Sequence, residues 1–111
     1  MDKLIISGNK NLKGSISVHG SKNAALPILV SSLLSNENLK LSNVPNVDDI
    51  KNMLKLLKGY GSKINVDKNT VTINNKYIKN ISADYDIVRK MRASILILGP
   101  LLSRFGYSKI S

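Results

Sequence analysis

Two basic clusters in this chain combine residue types able to hold an anion. The first is His19-Gly20-Ser21-Lys22-Asn23-Ala24-Ala25-Leu26-Pro27, which joins a polar N-terminal stretch to the almost wholly apolar run from Ile28 to Leu34. Gly20-Ser21 permits a tight turn, and Ser21 can cap a following helix by accepting a backbone N–H, which sets Lys22 and Asn23 in the first helical turn. That turn carries unpaired N–H groups and roughly half a positive charge, so a cation there is poorly placed for helix stability and well placed for an anion. Pro27 has no N–H to give the Asn23 carbonyl, which leaves polar groups free at the same point. The second cluster is Arg89-Lys90-Met91-Arg92. Arg92 stands where a buried face begins, a costly position unless it is paired, and its planar fork suits a carboxylate or a phosphate. On these residues alone two readings compete: an anion site built from Lys22, Asn23 and Arg92, or basic side chains on solvated faces.

The rest of the composition narrows the chemistry. The chain has 111 residues, one domain's worth at most, with 42% hydrophobic residues and dispersed charge, as expected of a globular chain with one modest core. It has no Cys and a single His, His19, which removes thiolate metal sites, a Cys nucleophile and a His-based cluster or triad from these residues. The carboxylate pairs Asp48-Asp49 and Asp84 with Asp86 read as helix-start residues rather than an acid/base site. Neither GxGxxG nor GxxxxGK[ST] occurs. The net charge of +10 raises the alternative of a small basic nucleic-acid-binding module. Against it, the lysines run from Lys3 to Lys109 without clustering, and the few aromatic residues do not interleave with them as base-stacking platforms do. No apolar run approaches a membrane span and the start MDKLIISG lacks the parts of a signal peptide, so the expectation is a cytoplasmic protein with no membrane or nucleic-acid partner.

The elements that must position the two clusters follow from periodicity. Lys3 to Ser7 and Leu12 to Val18 alternate apolar and polar residues and read as strands. A helix capped by Ser21 runs to about Leu34 and, being apolar on most sides, should lie buried. A strand over Leu39 to Val44 follows. The spacing of Val47, Ile50, Met53, Leu54 and Leu57 predicts an amphipathic helix to Tyr60, with Asn46 as cap and Gly61 as stop. Lys63 to Asp67 and Thr70 to Asn74 alternate around Lys68-Asn69, a hairpin pattern. A third helix should begin at Asp84 or Asp86 and bury Ile87, Met91, Ile95, Leu98 and Leu102, with Arg89 and Arg92 opposite and a kink or break at Gly99-Pro100. Tyr107 to Ser111 looks like the start of a strand. Helices alternating with strands give a mixed α/β fold.

The segments GSKNAALPILVSSLL (20–34), LSNVPNVDDI (41–50) and YDIVRKMRASILILGPLLSRFG (85–106) resemble the N-terminal quarter of the enolpyruvyl transferase family, in order and without a large gap. GxKNAALP together with the MRAS and LGPLL block places the resemblance on the branch whose acceptor is UDP-N-acetylglucosamine, apart from the sister branch of aromatic biosynthesis, whose turn usually reads GSKS. That sister activity, 3-phosphoshikimate 1-carboxyvinyl transfer, is the alternative. The resemblance implies transfer of the enolpyruvyl group of phosphoenolpyruvate to the sugar 3-hydroxyl, with phosphate released through a tetrahedral adduct, at the start of peptidoglycan precursor synthesis. It implies no metal, no organic cofactor and no obligate protein partner.

By matching position, Lys22 and Asn23 correspond to residues contacting phosphoenolpyruvate and Arg92 to one contacting UDP-N-acetylglucosamine. The family fold is an inside-out α/β barrel of repeated βαβαββ units in two lobes. If it carries over, residues 1–21 belong to one lobe and 22–111 begin the other, only the first part of the barrel being present. A catalytic Cys or Asp loop would follow Ser111, so no catalytic residue is expected within the chain and the fragment alone should be inactive. Leu96 departs from relatives that carry an aromatic residue there.

Overall fold

In the computed structural model, which describes residues 2–79 and 85–110, the packed part of the chain begins at the Ser21 cap. Helix α1 spans Lys22–Ser31 and passes into a 3₁₀ turn over Ser32–Leu34. Strand β1 is Asn38–Leu41, helix α2 is Asp48–Tyr60, and strands β2 and β3 are Lys63–Asp67 and Thr70–Asn74. A one-turn helix α3, Tyr85–Val88, leads to a 3₁₀ helix over Arg92–Ile97 and then to α4, Leu98–Phe105.

The three strands form one sheet in the order β1-β3-β2, with both neighbours antiparallel to β3. β1 and β2 are therefore parallel, joined by α2 as a crossover, with β3 inserted between them: a split βαβ arrangement. The hairpin closes where the sequence pattern placed it, with Asp67 opposite Thr70 and Lys68 in the left-handed region at φ 51°. The core lies between the sheet and the helices. Leu29, Leu33, Met53, Leu57, Ile73, Ile97 and Leu101 are all fully buried.

Helix α2 follows from its sequence. Ile50, Met53, Leu54, Leu56, Leu57 and Tyr60 are buried, Asp48 and Asp49 lie in the first turn, and Lys58 lies in the last, as the helix dipole favours. Its stop is Gly61, at φ 107°, where a Cβ would sit 2.8 Å from the Tyr77 carbonyl oxygen. The start differs from expectation: Val47, not Asn46, occupies the cap position, and no side chain caps it. The two acids supply the favourable charge instead.

Other expectations are corrected. Residues 2–20 form no strand, and 2–19 are all exposed, because an alternating segment with no neighbouring strand has nothing to pair with. Helix α1 buries Ala25, Leu26, Leu29 and Val30 but leaves Pro27 and Ile28 exposed, so only one side of it enters the core. The third helix is not continuous. It breaks at 89–91, and the 3₁₀ segment changes the period, so Met91, Ser94, Ile97 and Leu101 face inward while Ile95 and Leu102 are exposed. The Ser94 hydroxyl holds the break by donating to the Met91 carbonyl at 2.7 Å. Pro100 falls in the first turn of α4, where its missing N–H costs no helical bond, so the change of helix type precedes Gly99-Pro100. Beyond α4 the described residues show an isolated bridge at Lys109 and no strand, and Ser111 lies outside them. Asp84 lies outside the described residues.

Arg104, on α4, ties the far end of the molecule together. Its guanidinium donates to the carbonyls of Leu33 at 2.8 Å, Ser35 at 3.3 Å and Asn75 at 3.0 Å, and to the Asn36 side chain. Beneath it the buried Asn75 amide donates to the Ser32 hydroxyl at 2.8 Å, which donates in turn to the Leu29 carbonyl at 2.6 Å.

Candidate functional site

The site is assembled at the N-terminal ends of α1 and α2. Ser21 caps α1 from an extended conformation, its hydroxyl accepting the Ala24 N–H at 3.4 Å and its carbonyl accepting the Ala25 N–H at 2.9 Å. Asn43 secures the approach. Its side-chain oxygen accepts the Gly20 N–H at 3.1 Å and its amide donates to the Val18 carbonyl at 3.4 Å. The fit at this turn admits only glycine: a Cβ on Gly20 would lie 1.8 Å from the Asn43 carbonyl oxygen. Lys22 and Asn23 are thereby fixed as the first two residues of α1.

Lys22, Asn23, Leu26, Asp49, Lys90, Met91, Arg92 and Ala93 line one open cleft of about 360 Å³. Met91 is buried and forms part of the floor. The Lys22 ammonium reaches the Asp49 carboxylate at 2.7 Å, and both side chains remain nearly half exposed. Among the described residues, Lys90 and Arg92 make no ion pair, and the Asn23 side chain makes no hydrogen bond. Three cations therefore share the cleft with one carboxylate, beside the positive ends of two helices. An anion with two separated charged groups would find a partner on each wall.

The structure thus brings together the three residues singled out from sequence, Lys22, Asn23 and Arg92, across a separation of about seventy positions. It separates the two arginines of the second cluster: Arg89 pairs with Asp86 at 3.5 Å and lies over the Tyr85 ring, away from the cleft. Leu96 is 41% exposed on the 3₁₀ helix and is not part of the cleft lining. Sequence reasoning missed Asp49, and it named Lys90 only as a member of the second cluster, without a role of its own. Asp49 reads as an ordinary first-turn acid, and its neighbour Asp48 behaves as one, pairing among the described residues with Lys51 at 3.6 Å. The signal that could have found Asp49 is the unpaired Lys22 at the start of the preceding helix. Among the described residues no group of three His, Cys, Asp or Glu side chains could hold a metal ion, and no helix is long and apolar enough to cross a membrane.

Comparison with known proteins gives this chain its family. The family model for EPSP synthase (3-phosphoshikimate 1-carboxyvinyltransferase) matches residues 6–111, and the chain belongs to that enolpyruvyl transferase family. Within it, the chain is 50% identical over 111 residues to the UDP-N-acetylglucosamine 1-carboxyvinyltransferase of Campylobacter jejuni, and 53% identical over 112 residues to that of Wolinella succinogenes. The corresponding protein of Geotalea daltonii is 49% identical over 111 residues. In each case the whole chain is covered and it spans 27% of the relative's length. The fold is also that of the enolpyruvyl transferase NikO from Streptomyces tendae, with a TM-score of 0.77 at 18% identity over 91% of this chain and 24% of that one.

Proposed function

We propose that this chain supplies one wall of the active site of a UDP-N-acetylglucosamine 1-carboxyvinyltransferase. The observation that carries the reading is the convergence of Lys22, Asn23 and Arg92 in a cation-rich cleft, in a chain half identical to relatives of that name. The reaction joins the sugar 3-hydroxyl to C2 of phosphoenolpyruvate and then expels phosphate from the tetrahedral adduct. Its substrates carry a phosphate, a carboxylate and a diphosphate, so the wall must neutralise several negative groups. Lys22 does so as a compact charge with three donors, while Arg92 presents a planar fork to paired oxygens. Asn23 can donate and accept at once, which suits a position between the two substrates. Each charge-assisted bond is worth roughly 1.5 to 3 kcal/mol.

In this reading residues 1–21 belong to a second lobe and Lys22 stands at the passage between lobes. The exposure of residues 2–19, with Leu4, Ile6, Leu12 and Ile16 all in solvent, supports assigning them to a partner surface other than the unit built on α1. The chain spans 27% of its relatives' length, and in this reading the groups that move protons come from the rest of the protein. The setting is cytoplasmic peptidoglycan precursor synthesis, with no nucleic acid, membrane or obligate protein partner.

The test is phosphate release by the protein expressed from its full reading frame, given phosphoenolpyruvate with either UDP-N-acetylglucosamine or 3-phosphoshikimate. Turnover with the sugar nucleotide is expected, and turnover with the shikimate ester alone would replace this reading with the sister activity. Lys22→Ala should raise the KM for phosphoenolpyruvate and lower kcat, together by at least about tenfold in kcat/KM from loss of one charge-assisted contact. Unchanged kinetics in that variant would remove Lys22 from the site.

A further inference from the structure

We propose that Asp49 is a positioning residue for Lys22, setting where the ammonium points when phosphoenolpyruvate occupies the cleft. The assignment rests on the functional reading above and deepens it. The two partners differ in stiffness. Asp49 has a short side chain on α2, whose next residues Ile50, Met53 and Leu54 are buried in the core, so its carboxylate is anchored. Lys22 has a flexible four-carbon stem, and its side chain is 46% exposed. A 2.7 Å contact between them fixes the mobile member by the rigid one.

Stability does not account for the pair. Exposed ion pairs contribute little, and Asp48 supplies a negative charge at the same helix end while 93% exposed and clear of the cleft. The chemistry does account for it. An ammonium has three donors, so one can remain on Asp49 while two face oxygens of the incoming anion. The cleft also holds Lys90 and Arg92, which attract the anion whether or not Lys22 is oriented. Loss of the Asp49 charge should therefore leave substrate capture intact and damage alignment in the reacting complex. Such a residue affects kcat more than KM.

Three variants of the protein from its full reading frame test this: Asp49→Asn, Asp49→Glu and the control Asp48→Asn. Steady-state kinetics and inhibition by inorganic phosphate are read on each, with thermal melting beside them. Asp49→Asn is expected to lower kcat about 10- to 100-fold, the scale of a small misplacement of a reacting group, with the KM for phosphoenolpyruvate unchanged or lower. Phosphate should inhibit it more strongly than the parent, because a competing carboxylate is gone. Asp49→Glu should recover part of kcat, and Asp48→Asn should match the parent. The proposal is overturned if Asp49→Asn keeps the parental kcat, if its loss is wholly a raised KM, if Asp48→Asn reproduces the same loss, or if Asp49→Asn melts far below the parent. Lys22→Ala assayed alongside separates the two levels. Parental kinetics there overturn both the site and this assignment, whereas a defective Lys22→Ala with a parental Asp49→Asn overturns the assignment alone.

Discussion

The N-terminal arm and the β2–β3 hairpin have the same kind of sequence and opposite fates. Leu12 to Val18 alternates apolar and polar residues as regularly as Lys63 to Asp67 and Thr70 to Asn74, yet Ile16 is 92% exposed while Ile73 is fully buried. The hairpin brings its own partner two residues away, and β1 then covers the other edge of β3. The arm has no strand beside it among the described residues, and its apolar side chains stay in solvent. Alternation specifies which face a strand would bury, but burial itself needs a surface to meet.

This contrast can be broken by substitution. Ile73→Ala in the hairpin should destabilise the 111-residue chain by about 2–5 kcal/mol, whereas Ile16→Ala in the arm should change it by less than about 0.5 kcal/mol, both read from chemical denaturation. Equal effects would mean that the arm packs as the hairpin does. The junction between the two regions is sharper. Gly20→Ala places a methyl group on the Asn43 carbonyl, and the cheapest relief is to abandon the two Asn43 hydrogen bonds, at a cost of about 1–2 kcal/mol by the same measurement. Faster proteolysis within residues 2–20 should accompany it.

The smallest effect concerns Tyr60, buried in the packed unit with a hydroxyl that has no hydrogen-bond partner among the described residues. Burial pushes its pKa up from 10.0 to about 12. The folded state then keeps a proton that the unfolded chain loses, so this stability is fully present below pH 10 and is lost as pH rises towards about 12. Tyr60→Phe should be close to neutral at pH 7 and should flatten the decline above pH 10, as followed by melting temperature against pH.

What was legible in the sequence was what neighbours along the chain decide. The Ser21 cap, the stripe and Gly61 stop of α2, and the two-residue turn at Lys68-Asn69 each depend on contacts within a few residues. Lys22, Asn23 and Arg92 stood out in the sequence because a charge beside an apolar run is costly without a task, and the structure adds that all three line one cleft. The break after α3 was not legible, since residues 85–102 fit a helical stripe until Ser94 turns back on Met91 and the period shortens to three. Asp49 was hidden by a degenerate signal. An acid in a first helical turn has a sufficient local reason to exist, and its contact with Lys22 spans twenty-seven positions of chain.

The Arg104 brace has a consequence in time. Synthesis runs from the N-terminus, so Leu33, Ser35, Asn36 and Asn75 are all made before the guanidinium that serves them, the first of them by 71 residues. Until α4 is made and docks, those oxygens are left to water, and the seam between the α1 end and the β3 end stays open. A growing chain halted before residue 104 would hold the cleft residues Lys22, Asp49 and Arg92 on a unit whose opposite end is still unsealed. Docking of α4 is thus the point at which the unit that carries the cleft is closed at its opposite end.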